Sequence, residues 1–192
     1  MRIGYLECFS GISGDMFLGA LVDAGVPLSV LEEATAALNV GARLEARRVT
    51  RGGIAATKVD VLTGAVAAEA KHEHSHRHEE AHEHAHKHSH PHAHSDEHSH
   101  EHAQEHTHDH EEHRSLKTIL GIIAAARLSD GVMARANRAF ELLGEAEAGI
   151  HAIPVDRVHF HEVGAVDTIV DLVCAAAGAE HLGVDQWRCA PL

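Results

Sequence analysis

Eighteen of the 22 histidines in this chain of 192 residues fall between positions 72 and 113, so the side chains best suited to metal chemistry are concentrated in one stretch. Much of it reads His-x-His: His72, His74, His76 and His78, then His82, His84, His86, His88, His90, His92 and His94. In an extended chain side chains alternate sides, so histidines two apart share a side and their imidazoles converge on one ion. Neutral imidazole suits nickel, zinc, copper and cobalt, with affinity set by the Irving–Williams order rather than by a fixed cage, and no single metal is selected. The stretch also holds eleven acids against Arg77 and Lys87. They add oxygen ligands and keep the tract negative while its histidines are neutral. The bland alternative is a solvated low-complexity insert with incidental metal affinity; composition of this kind favours metal handling. Histidine in isolation titrates near pH ~6.5, so mild acid is expected to charge the tract and release its metal together.

A second group of chemically capable residues follows the tract. In His159-Phe160-His161-Glu162 a strand would set both imidazoles on one side and Phe160 in the core. Asp167 falls on the first turn of the next helix, and Asp171 follows on the same face. Asp171 lies among Ile169, Val170, Leu172 and Val173, and a buried carboxylate there needs a cation, a metal or several donors to offset its desolvation. The rival reading has Asp167 complementing the helix dipole, Asp171 paired with an arginine and the histidines on the surface. A third candidate precedes the tract. Ser10-Gly11-Ile12-Ser13-Gly14-Asp15 is a glycine turn opening a helix, whose backbone N–H groups can cradle a phosphate or carboxylate. Asp15 would repel that anion unless a divalent ion sat between, and Ser13 is alternatively a simple helix cap.

The elements that must position these groups are readable in outline. A strand over residues 2–8 leads through the glycine turn into a helix over 16–24, ended by Gly25 and Pro27. Ser29 is expected to cap a second helix through Leu31, Ala34 and Leu38. Strands over 43–50 and 54–62 join across Gly52-Gly53, a pair that accepts positive φ in a hairpin. After the tract, Ser115 caps a helix carrying Leu116, Ile119, Leu120 and Ile123, and Ser129 or Asp130 caps another through Val132, Ala136, Phe140 and Leu143. A strand containing His159, Phe160 and His161, a helix over 168–178 and a strand over 186–192 complete the chain. The two strand–turn–helix units look alike, with Glu7 and Asp15 in one and Glu162 and Asp167 in the other. Side by side they would bring four carboxylates together; coincidence in a common supersecondary shape is the alternative.

The expected fold is α/β, a small sheet flanked by helices, with residues 1–71 and 114–192 forming one domain and 72–113 a disordered insertion. Without the tract 150 residues remain, enough for one core. The formal charge of −13 falls to −4 once the tract is set aside, which leaves neither nucleic acid nor an anionic membrane as an obvious partner. Cys8, Cys174 and Cys189 show no Cys-x-x-Cys pairing, so neither a disulfide framework nor a thiolate zinc site is expected. No leader or long apolar span is evident, and the chain reads as cytoplasmic. The last strand stops without a turn or cap signal, which suggests continuation in a longer product.

Two ungapped stretches carry a more specific signal. The run from Glu7-Cys8-Phe9-Ser10-Gly11 through Asp15-Met16-Phe17-Leu18-Gly19-Ala20-Leu21, and that from Val158-His159-Phe160-His161-Glu162 through Asp167-Thr168-Ile169-Val170-Asp171, flank the histidine-rich insert. With it they resemble the nickel insertion proteins of the LarC family over essentially the whole chain. The resemblance implies a nickel chelatase of the lyase class that inserts Ni²⁺ into pyridinium-3,5-bisthiocarboxylic acid mononucleotide, consumes CTP with Mg²⁺ or Mn²⁺, and yields the nickel pincer cofactor of lactate racemase. It implies further that the CTP-binding part belongs to a C-terminal portion beyond this chain. A sulfur-transfer protein, lactate racemase and a second copy of the chain are the further partners expected. The tract would gather Ni²⁺, while His159, His161, Asp167 and Asp171 hold it. Ser10, Gly11, Ser13 and Gly14 would bind substrate, with Glu162 and Asp15 catalytic and Glu162 the first candidate to accept the ring proton. The alternative is a non-enzymatic nickel store or metallochaperone, in which the tract is the whole function.

Overall fold

Helix α5 (Val166–His181) is apolar on nearly every side, and a helix of that kind must be enclosed. In the computed structural model, which describes residues 1–9, 11–64, 114–160 and 165–190, three other helices pack against it. These are α1 (Gly14–Asp23), α2 (Leu28–Leu38) and α4 (Asp130–His151). Ile169, Val170, Val173 and Cys174 are completely buried. Each such aliphatic side chain contributes about 1.5–3 kcal/mol relative to exposure. Small residues allow the close approach: a Cβ on Gly178 would stand 2.7 Å from Leu21 Cδ1. The thiol of Cys174 contacts the Thr35 hydroxyl at 3.2 Å, and burial pushes it up to about 12, so it is an inert part of the core.

The core joins both sides of the tract. Leu18, Leu31, Leu38 and Val59 come from before it, and Ile119, Ile123, Phe140, Phe160 and Ile169 from after it. Helix α3 (Leu116–Ala125) begins at Ser115, whose hydroxyl accepts from Thr118 N at 3.2 Å, and α4 begins at Ser129, whose hydroxyl accepts from Val132 N at 3.1 Å. Both caps are the expected ones. The cap of α2 is not: Pro27 occupies that position with φ −60°, and Ser29 lies inside the first turn. Proline's fixed φ suits the entry to a helix, where no N–H bond is required of it.

The expected α/β fold of helices around little sheet is what forms, and among the described residues the strands make three two-stranded pairs. β1 (Ile3–Leu6) runs parallel to β6 (Gln186–Cys189), with Trp187 lying over Gly4 and meeting Phe17 edge-on at 5.8 Å. β2 (Ala42–Arg51) and β3 (Ile54–Thr63) form the expected hairpin, with φ 57° and 81° at Gly52 and Gly53. The outer edge of β3 is covered by α1, which explains why that ribbon gains no third strand on this side. Gly19 touches it so closely that a Cβ would sit 2.0 Å from Thr57 O, and Asp23 accepts from Thr57 N at 2.8 Å. Finally β4 (Arg114–Ser115) pairs antiparallel with β5 (His159–Phe160), so the residues that follow the tract are stitched beside His159. Among the described residues no helix is long and apolar enough to cross a membrane.

Candidate functional site

Where α1 and α5 meet, their first turns stand side by side because residue 14 has no side chain. A Cβ on Gly14 would lie 1.8 Å from Asp171 Oδ2, so the carboxylate of Asp171 rests on the backbone at the start of α1. Asp15 is the next residue, and Asp167 is one turn before Asp171. Together with Ser13, Asp60 and Val61 they line a cleft of about 300 Å³.

The carboxylates in this cleft are held very differently. Asp15 accepts a short hydrogen bond from the Ser13 hydroxyl, which is the main reason its pKa lies below the usual carboxylate range; the Lys58 ammonium at 3.3 Å assists against partial desolvation. Lys58 also meets Asp60 closely, and Asp60 accepts from Arg47 Nε at 3.3 Å. That contact, with Asp15 beside it, holds the lysine above its ordinary value and fully charged. Asp171 has no such help. Burial, then the charge of Asp167, then that of Asp15 push it up to about 6, and its Oδ1 is buried with no hydrogen-bond partner among the described residues. A buried carboxylate oxygen with no donor is costly unless a cation or proton meets it.

The cleft thus carries four carboxylates against one ammonium. Oxygen donors of this kind take divalent ions, and imidazole shifts the preference toward nickel and its neighbours. Among the described residues no three His, Cys, Asp or Glu side chains already form a metal cage, so further donors are needed. His159 is exposed on β5, opposite Ser115, while Phe160 points into the core against Phe140 at 6.5 Å, the alternation expected from sequence. Ser10, His161, Glu162 and the tract from His72 onward lie outside the described residues.

Of the residues nominated from sequence, the fold brings together Ser13, Gly14, Asp15, Asp167 and Asp171. Gly11 does not line the cleft; it turns the chain, with φ 83° and its N–H on Cys8 O at 2.9 Å. Glu7 is exposed and absent from the lining, and Asp60 and Asp171 stand among the carboxylates instead. Asp167 does bind a first-turn amide, Thr168 N at 2.7 Å, as a dipole-complementing residue would, but Asp171 has no arginine partner among the described residues. Sequence reasoning missed Lys58 and Asp60. Their signal was present: two opposite charges, two residues apart, on one face of a strand otherwise built of Ile54, Ala56, Val59 and Val61.

A family model described as nickel insertion protein matches residues 4–192. Among curated relatives, the putative nickel insertion protein of Roseiflexus castenholzii is 40% identical over 192 residues, which is all of this chain and 38% of the relative. The pyridinium-3,5-bisthiocarboxylic acid mononucleotide nickel insertion protein of Geobacillus kaustophilus is 40% identical over 193 residues, covering all of this chain and 39% of its own length. A putative nickel insertion protein of Thermomicrobium roseum is 39% identical over 194 residues and is covered over 37%. The chain therefore spans less than two fifths of the length of these relatives. No solved structure matches it.

Proposed function

The chain belongs to the nickel insertion protein family, and from that premise we propose that it is the nickel-holding part of a nickel chelatase acting on pyridinium-3,5-bisthiocarboxylic acid mononucleotide, the compound in the name of its Geobacillus kaustophilus relative. The observation that carries this reading is the buried Oδ1 of Asp171, without a partner among the described residues, in a cleft already crowded by Asp15 and Asp167. Such an arrangement has a use for a divalent cation.

In this proposal Ni²⁺ is substrate. Residues 1–71 and 114–192 form one domain, and the tract 72–113 collects the ion. β3 ends at Thr63, three residues past Asp60, and the chain returns at Arg114, paired across from Phe160 next to His159. The described residues that flank the tract thus lie close to the carboxylate cleft on one side and beside His159 on the other. Asp167 and Asp171 receive the ion, His159 and His161 complete its shell with the nitrogen donors that favour nickel, and Ser13 and Gly14 form the wall facing the thiocarboxylates. Asp15, fixed by Ser13 and Lys58, stays ionised and orients the site. Formation of a carbon–nickel bond releases the ring proton, which Glu162 accepts. The CTP step, with Mg²⁺ or Mn²⁺, is assigned to the C-terminal part of the family protein, with which this domain acts in the cytoplasm.

The histidine tract favours a second reading, a nickel store without catalysis. The test is to delete residues 72–113 from the protein carrying this chain and assay cofactor formation with excess nickel. Retained activity, abolished by Glu162→Gln, is the expected result. Loss of all function with the tract would establish the store instead, and full activity in Glu162→Gln would remove that residue from its role.

A further inference from the structure

Alongside the carboxylate cleft, α1 and the β2–β3 hairpin enclose a second one of about 490 Å³, and Asp15 lines both. Its walls are apolar: Met16 and Ala20 from α1 face Val49, Ile54 and Ala56 from the hairpin. Met16 is 57% and Ile54 74% exposed, which leaves two large apolar side chains in water on opposing walls. The polar groups are unequal. Asp23 is fully engaged by Thr57 N, the Thr57 hydroxyl at 2.7 Å and Arg48 Nη1 at 2.6 Å. Arg51 makes no hydrogen bond or ion pair with any described residue.

Strand register fixes where these charges stand. Arg51 pairs with Ile54, Val49 with Ala56 and Arg47 with Lys58, and paired residues share a face. Arg51 at the hairpin tip and Lys58 beside Asp15 therefore occupy the same face, separated by four residues of β3, about 13 Å at roughly 3.3 Å per residue. The groove has carboxylate at one end, apolar walls along its length and, at the other, a guanidinium with no partner among the described residues.

We propose that this groove is the binding site for the pyridinium mononucleotide, with the phosphate on Arg51, the ring between Met16 and Ile54, and the ring carbon opposite the ribosylated nitrogen turned toward Asp15. The assignment rests on the nickel-insertion reading and deepens it. A planar ring matches two facing apolar walls, and a guanidinium matches a phosphate through paired, charge-assisted hydrogen bonds. The ring carbon between the two thiocarboxylates and the phosphate are opposite ends of such a molecule, as the carboxylate cleft and Arg51 are opposite ends of the groove.

Nicotinic acid mononucleotide, a pyridinium carboxylate ribotide, is a stable probe. Calorimetric titration into the protein carrying this chain is expected to show binding that Arg51→Ala weakens by about ten- to a hundredfold, the loss of charge-assisted hydrogen bonds. Nicotinic acid riboside, which lacks the phosphate, should bind wild type and R51A alike, and Ile54→Asp should weaken both ligands. Arg51 and Ile54 are exposed, and circular dichroism on each variant confirms that the fold is kept. No binding of the mononucleotide to wild type, equal binding to wild type and R51A, or an R51A loss that extends to the riboside would each overturn the site. These outcomes leave cofactor formation by the wild-type protein untouched, so failure of the groove and failure of the nickel-insertion reading are separately visible.

Discussion

The starts of α1 and α5 each carry an aspartate on the first turn, yet Asp15 on α1 and Asp171, one turn further into α5, are treated in opposite ways. Around Asp15 the fold supplies a hydroxyl from Ser13 and an ammonium from Lys58, and the group stays ionised below its ordinary range. Around Asp171 it supplies burial and two like charges, and the group is pushed up to about 6. Side-chain type is the same; environment separates an orienting charge from an acceptor waiting for a cation. The difference depends on Gly14, which lets the second carboxylate lie against the first helix where solvent cannot reach its inner oxygen.

The largest effect should come from breaking that contact. Gly14→Ala places a Cβ into Asp171, and forcing the helices apart is expected to cost about 1–3 kcal/mol in chemical denaturation. The displacement should lower cofactor formation by roughly a hundredfold, as misplacements on the order of 1 Å do. Gly14→Ala combined with Asp171→Ala should recover the stability and none of the activity. If the single variant were as stable and as active as wild type, the close approach would have no role.

A smaller effect sharpens the comparison through pH. The folded-state pKa of Asp171, about 6, exceeds its ordinary 3.8. Its contribution to stability is therefore fully present below about pH 3.8 and is lost as pH rises through about 6. Asp171→Asn removes that loss. At pH 7, without nickel, it should be more stable than wild type by about 1–2 kcal/mol, a figure already discounted for partial solvent screening. The gain should vanish near pH 4. Identical thermal melting profiles from pH 4 to 8 would show that Asp171 is not strained by its surroundings.

Much of this arrangement was legible in the sequence wherever the cause is local. The Ser115 and Ser129 caps, the Gly52-Gly53 hairpin and the His159/Phe160 alternation each depend on a few neighbouring residues, and each stands as read. Asp15, Asp167 and Asp171 were nominated from composition and spacing. What spacing does not carry is which of them touch. Gly14 read as part of a phosphate cradle, whereas its place in the fold is to admit Asp171, a relation spanning most of the chain. Lys58 and Asp60 show their opposite charges within β3 itself, but they matter because α1 docks along the edge of that strand, a neighbour that local spacing does not name.

The most direct test of the central claim is the nickel affinity of the carboxylate cleft itself, free of the histidine tract. Calorimetric titration of Ni²⁺ at pH 7 into the protein lacking residues 72–113 should reveal a site that Asp171→Asn weakens by about 10- to 100-fold, the usual range for losing a group that supports a metal. Equal nickel affinity in the two proteins would contradict the account, because the buried oxygen of Asp171 would then have no ion to meet.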